Sequence, residues 1–66
     1  MEKVELKRYN GNHVFERCTT SNPITIANTI KDYIFVKAFT LVDGTVKSIL
    51  YKHRKFERET LIMKFV

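Results

Sequence analysis

One short segment, YKHRKFERE at residues 51–59, holds the densest group of side chains that could do chemistry. Four of its nine residues are basic, one is histidine and two are aromatic. Cations neutralise phosphates and release counterions, and an exposed aromatic ring offers a stacking surface for an unpaired base. The segment therefore favours nucleic-acid binding, although its composition also suits a solvated edge strand that basic residues protect from pairing with other chains.

An extended backbone over residues 46–55 would divide these side chains between two faces, because successive residues of a strand alternate. We expect Val46 and Leu50 to lie on the face that a helix covers. The opposite face, which we expect to be exposed, carries Lys47, Ile49, Tyr51, His53 and Lys55.

The strand that precedes this one could widen the exposed face, because Phe35 and Lys37 are two residues apart and would lie in register with it. On this basis we predict that a basic and aromatic sheet face contacts nucleic acid. The predicted nucleic-acid-binding residues are Lys37, Lys47, Tyr51, Lys52, His53, Arg54, Lys55 and Arg58.

Metal binding has few candidate ligands in this chain, namely His13, Cys18 and His53. His13 and Cys18 are five residues apart, so they would point to opposite faces of one strand. A structural zinc site needs four ligands, commonly in pairs with short spacing, and no CxxC or HxxxH pair is present. We therefore predict no metal and no cofactor.

Catalysis also lacks a defined signature. Nucleophilic catalysis needs a nucleophile beside a base and a third group that orients the base, and no local pattern supplies this. Glu57 and Glu59 lie among cations, where surface ion pairing explains them better than acid–base work. One enzymatic alternative stays open: a small metal-independent ribonuclease that would use Tyr51, His53, Arg54 and Lys55.

The net charge of +5 is unevenly distributed along the chain. Residues 1–33 hold five bases and four acids, net +1, whereas residues 34–66 hold seven bases and three acids, net +4. Such asymmetry favours a partner that is acidic, either nucleic acid or an anionic protein surface.

A chain of 66 residues is expected to form one small domain, residues 1–66, with a core of limited size. Its single cysteine allows no intrachain disulfide, which is typical of a reducing compartment and predicts a cytoplasmic protein. The N-terminal MEKVELKR does not read as a signal peptide, and YIFVKAFTLV is too short to span a bilayer, so no membrane role is expected. The small core and the apolar LIMKFV make a homodimer plausible.

Two turn signals and one helix start organise the chain. Asn10-Gly11 and Asp43-Gly44 each lie between segments rich in β-branched or aromatic residues and predict two hairpins. Asn22-Pro23 predicts a helix start, because asparagine caps well and proline fits the first helical turn. Apolar residues at spacings of three and four then predict a helix over residues 23–33, although the Thr and Ile content also fits a strand.

The C-terminal third has two interpretations. Alternating apolar residues in LIMKFV favour a last strand after a charged connection, whereas a helix over residues 48–64 is the alternative. We prefer the strand, which gives the order β-β-α-β-β-β and an α+β fold: a small antiparallel sheet with one helix packed on a face. This pattern is too widespread to indicate a family or a function.

Three functions are compatible with these features. The first is a small non-enzymatic nucleic-acid-binding module. The second is a protein-binding inhibitor or adaptor that blocks a host protein, of the kind that phages and other mobile elements encode, and that could act by strand addition. The third is the small ribonuclease.

Overall fold

The computed structural model describes residues 3–66 and contains one sheet and one helix. The elements are β1 (Val4–Asn10), β2 (His13–Thr20), α1 (Pro23–Ile30), β3 (Tyr33–Thr40), β4 (Val46–His53) and β5 (Glu59–Phe65). The five strands are antiparallel to their neighbours and follow the order β2-β1-β5-β4-β3. The predicted α+β class and the order β-β-α-β-β-β are both confirmed.

Both predicted hairpins form around their glycines. In the first, Gly11 and Asn12 connect the paired residues Asn10 and His13, and Gly11 takes φ +63°. Glycine at the first of two loop positions with positive φ is the arrangement of a type II′ turn, whose twist matches that of the flanking strands.

The second hairpin has a longer loop, residues 41–45, in which Gly44 takes φ +90°. The Gly44 N–H donates to the Leu41 carbonyl at 2.9 Å, and the Thr45 N–H donates to Asp43 Oδ1 at 2.9 Å. That second bond favours the ionised carboxylate and lowers the pKa of Asp43. The Asp-Gly pair therefore closes the loop by its side chain as well as by its backbone.

Helix α1 begins as its sequence predicts and ends earlier than predicted. The Asn22 side chain accepts a hydrogen bond from the Ile24 N–H at 2.9 Å, and Pro23 occupies the first turn. The predicted end at residue 33 is wrong, because the helix stops at Ile30 and Tyr33 already begins β3. Eight residues make barely two turns, so this helix depends on its packing for stability.

The core lies between α1 and one face of the sheet. Its buried residues are Val4, Leu6, Tyr33, Leu61 and Met63. Four half-buried residues pack against them: Ile26 and Ile30 from the helix, and Ile49 and Tyr51 from β4. We call this covered face the helix side of the sheet.

The C-terminal third is strand, loop and strand, so the alternative helix over residues 48–64 does not form. β5 pairs with β4 on one side and β1 on the other, which places it at the centre of the sheet. Its inward residues Leu61 and Met63 are almost completely buried. The apolar segment LIMKFV therefore contributes its inward side chains to the core of the sheet.

Candidate nucleic-acid interface

Between Ile49 and His53 of β4, the two faces of the sheet are opposite to our expectation. Ile49 and Tyr51 pack against the core, so Tyr51 lies on the helix side and is not an exposed stacking surface. Partial burial raises the pKa of its phenol above the usual value. Leu50, which we expected under the helix, lies on the other side. The expectation that Tyr51 lies on the exposed face is therefore wrong.

His53 also lies on the helix side, where it has a structural role. Its Nδ1 accepts hydrogen bonds from the Lys55 N–H at 3.0 Å and the Phe56 N–H at 3.2 Å. Its ring meets the Tyr33 ring edge to face, with 5.0 Å between the centroids. The imidazole therefore organises the start of the loop between β4 and β5, residues 54–58, which we call the β4–β5 loop.

Phe35 and Lys37 do not share a face, which corrects a second expectation. Phe35 pairs with Tyr51 but Lys37 pairs with Leu50, so Val36 is an extra residue in β3. Such a bulge reverses the alternation of side chains beyond it. Lys37 consequently lies on the side of the sheet away from the helix, while Phe35 stays on the helix side.

The remaining predicted residues lie in four places. Lys52 is on the side away from the helix, because it pairs with Ile34 and Thr60. Arg54 and Lys55 are exposed in the β4–β5 loop. Arg58 lies against the first hairpin, where its carbonyl accepts the Gly11 N–H at 2.9 Å. Lys47 lines a groove with Phe65 and Val66 at the end of the sheet.

The uncovered side of the sheet is more basic than the sequence predicted. We call it the open face, and we define it by the outward strand residues away from α1. Its charged residues are Glu5, Lys7, Arg17, Lys37, Lys52 and Lys64, which are five cations and one acid. Of these five cations, only Lys7 has an ion-pair partner within residues 3–66: its Nζ lies 3.5 Å from Glu5 Oε1.

The centre of the open face is one row of direct cross-strand partners. In order across the five strands, the row is Arg17, Lys7, Ile62, Leu50 and Lys37. Lys7 and Lys37 are three strand spacings apart, about 14 Å. Cations thus flank an aliphatic centre.

Two aromatic residues border this row. Tyr9 lies beside it on β1, and Phe39 on β3 is 42% exposed. The Lys37 Nζ lies 5.2 Å from the centroid of the Phe39 ring, within cation–π range. Tyr9 and Phe39 therefore replace Tyr51 as the candidate stacking residues of the sheet.

On the helix side, the charge of Arg8 is neutralised by carboxylates, in contrast to most cations of the open face. Arg8 Nη1 lies 2.7 Å from Glu16 Oε2, and Arg8 Nη2 lies 3.6 Å from Glu59 Oε1. Arg8 Nε also donates to the Tyr33 hydroxyl at 2.9 Å, and its guanidinium lies 4.8 Å from the Phe15 ring centroid. Arg8 is thus committed to internal contacts, while most open-face cations are free to meet a ligand.

Sequence reasoning missed Lys7 and Arg17 because it placed the surplus charge in the C-terminal half, and it missed Lys64 because it treated LIMKFV only as an apolar strand. Their alternation within strands was visible, but their meeting depends on the pairing of β1 with β5. Within the described residues, no three His, Cys, Asp or Glu side chains lie close enough together to bind a metal ion. In residues 3–66 no helix has the length and apolar character to cross a membrane.

Comparisons of this chain with protein-family models, with curated proteins and with solved structures found no match.

Proposed function

We propose that this chain is a small nucleic-acid-binding module that acts by binding and not by catalysis. The observation that supports the proposal is the open face, on which five cations meet one carboxylate across all five strands. Phosphates of a polyanion would occupy the positions between Lys7, Arg17 and Lys37. Tyr9 and Phe39 would offer ring faces to unpaired bases.

Lys7 and Arg17 add a specific argument, because they are direct cross-strand partners of like charge. Such a pair destabilises a sheet unless something neutralises it. Glu5 is the nearest acid to Lys7, and its single carboxylate leaves the pair with a net positive charge. A bound phosphate would relieve this repulsion, so binding and folding would support each other.

A salt titration tests the proposal. Labelled single-stranded RNA, single-stranded DNA and duplex DNA are titrated with the protein at several salt concentrations. If about four phosphates are neutralised, the logarithm of the single-strand association constant should fall with the logarithm of salt concentration at a slope of roughly −3. An affinity that does not change with salt would contradict phosphate binding.

A matched pair of double variants locates the interface. Lys7→Gln and Lys37→Gln together remove two charges from the open face. Lys31→Gln and Lys47→Gln remove two charges elsewhere, at the end of α1 and at the end of the sheet. We expect the first set to weaken binding and flatten the salt slope far more than the second. Equal effects of the two sets would mean that net charge, and not this face, attracts the ligand.

Catalysis is tested separately. The ribonuclease alternative requires His53, whose Nδ1 is already occupied by two backbone N–H groups. We expect no cleavage of labelled RNA under conditions in which it is bound. Cleavage that disappears in His53→Ala would establish the enzymatic alternative.

A second candidate function, binding of another protein, is favoured by β3. This eight-residue strand is at an edge of the sheet, and its apolar side chains are unusually exposed. Ile34, Phe35, Val36 and Phe39 are 42–58% exposed. An apolar edge of this length can accept a strand from a host protein or from a second copy of the chain.

Strand addition predicts a complex that survives nuclease and high salt. Val36→Lys should abolish such a complex, whereas Val66→Lys, a charge at another exposed valine, should leave it intact. A pull-down with and without nuclease, followed by sedimentation of the isolated chain, distinguishes a protein partner, a homodimer and a nucleic-acid ligand.

A further inference from the structure

The β4–β5 loop forms a concave site that is separate from the open face. A cavity of about 560 Å³ is lined by Asp32, His53, Arg54, Lys55 and Phe56. Phe56 is 57% exposed, which is high for a phenylalanine in a loop. From this combination of an exposed ring and two cations, we infer that the cavity is a subsite for one unpaired nucleotide, with the base on Phe56 and the phosphate at Arg54 and Lys55.

The ring that would receive the base is held in place. The Phe56 N–H donates to His53 Nδ1 at 3.2 Å, and the Phe56 carbonyl accepts the Glu59 N–H at 3.0 Å. The His53 ring lies beside it, with 4.8 Å between the centroids. His53 is itself fixed against the buried Tyr33. A ring positioned before binding loses little conformational freedom on stacking.

The two cations are fixed through their backbones and are free at their side chains. The Arg54 N–H donates to the Asp32 carbonyl at 2.9 Å, and the Lys55 N–H donates to His53 Nδ1 at 3.0 Å. Among residues 3–66 neither side chain has a carboxylate within ion-pair distance. Both are therefore available for a phosphate.

A nucleotide fits the lining better than a simple anion does. Asp32 is among the lining residues and would repel a free anion, whereas a base brings a neutral plane and hydrogen-bond donors. Phe56 supplies an apolar face that phosphate alone would not use. The cavity thus combines the features that recognise a base joined to a phosphate.

The cavity is separate from the open face but adjoins it. A neighbouring hollow of about 430 Å³ shares His53, Arg54 and Lys55 with it and is also lined by Ile34, Lys52 and Glu57. Ile34 and Lys52 are cross-strand partners on the open face. A single strand bound across the open face would reach the β4–β5 loop beside Lys52. The subsite would then bind one nucleotide of that same strand, and it therefore rests on the proposed nucleic-acid function.

The inference predicts that Phe56 discriminates single strands from duplexes. Phe56→Ala should weaken binding of a single-stranded oligonucleotide by roughly 5- to 100-fold, the usual effect of losing one stacked base. The affinity for duplex DNA should stay within about twofold of the wild-type value, and the salt slope should not change, because the phosphate contacts are the same. Phe56→Tyr keeps a ring and should restore single-strand affinity. An unchanged single-strand affinity in Phe56→Ala would overturn the subsite and leave the open-face proposal intact.

A mononucleotide titration tests the cavity independently of the open face. Wild-type protein is titrated with AMP, dAMP and ribose 5-phosphate while NMR signals of the Phe56 ring and the Arg54 and Lys55 amides are followed. We expect AMP and dAMP to move all of these signals, and ribose 5-phosphate to move the amides alone. A difference between AMP and dAMP would separate RNA from DNA as the preferred ligand. Phe56 signals that no nucleotide moves would overturn the inference, even if long polyanions bind.

Discussion

Lys7 on β1 and Arg17 on β2 are direct partners across the first hairpin, and both side chains belong to the open face. Like charges directly opposite each other in a sheet are unfavourable, and the neighbouring Glu5 offsets only part of this repulsion. The pair therefore makes the free protein less stable than a variant with opposite charges at these two positions would be.

The first prediction follows from this pair. Arg17→Glu should stabilise the isolated protein by about 0.2–1 kcal/mol, because repulsion becomes attraction. The same change should weaken polyanion binding. Urea unfolding and fluorescence anisotropy measure the two effects. A variant that loses both stability and affinity would show that Arg17 supports the fold and does not serve a ligand.

The second prediction concerns the centre of β5. Leu61 is fully buried, whereas the adjacent Ile62 faces the open side and is half-buried. Leu61→Ala should cost about 2–5 kcal/mol, which approaches the whole stability of a domain this small. Ile62→Ala is the matched control and should cost clearly less. Circular dichroism during thermal unfolding checks both, and similar losses would mean that the sheet is covered on two sides.

These results show where the sequence is informative. Gly11, Gly44 and the Asn22-Pro23 pair act through local backbone chemistry, so the hairpins and the helix start could be predicted. The end of the helix could not, because the apolar spacing continues through Tyr33, which instead begins β3 as a buried core residue.

The face of β4 was ambiguous for a different reason. Ile49 and Tyr51 alternate with Leu50, so both faces offered apolar residues, and alternation alone does not say which is covered. The choice is made by long-range partners: Tyr51 pairs with Leu61, and Ile49 pairs with Met63. The bulge at Val36 has no local signal such as glycine, which is why Lys37 was assigned to the wrong neighbours.

The third prediction concerns His53 as a loop organiser. His53→Ala removes the acceptor of two backbone N–H groups and should cost roughly 1 kcal/mol. His53→Asn should cost less, because an asparagine side chain can accept the N–H two residues ahead. Amide hydrogen exchange at Lys55 and Phe56 is the measurement. Equal exchange rates in wild type and His53→Ala would contradict the assigned role.

The fourth prediction is a dependence on alkaline pH. Partial burial raises the pKa of Tyr51 in the folded protein, so its neutral phenol contributes stability below the unfolded pKa of about 10. This contribution is lost as pH rises through the folded pKa. Tyr51→Phe cannot ionise, so its urea midpoint should decline less steeply than that of wild type above about pH 10. Parallel declines would mean that Tyr51 is freely solvated.

The pairing of β1 with β5 has a kinetic consequence. Val4 and Phe65 are partners although nearly the whole chain separates them, so closing this contact carries a large loop-closure penalty. The hairpin β1–β2 and the meander β3–β4–β5 can each assemble from local contacts beforehand. Because Lys7 and Arg17 come from one piece and Lys37, Lys52 and Lys64 from the other, the basic surface is assembled only when these pieces dock. The rate at which ligand affinity appears during refolding would therefore report the rate at which the two pieces dock.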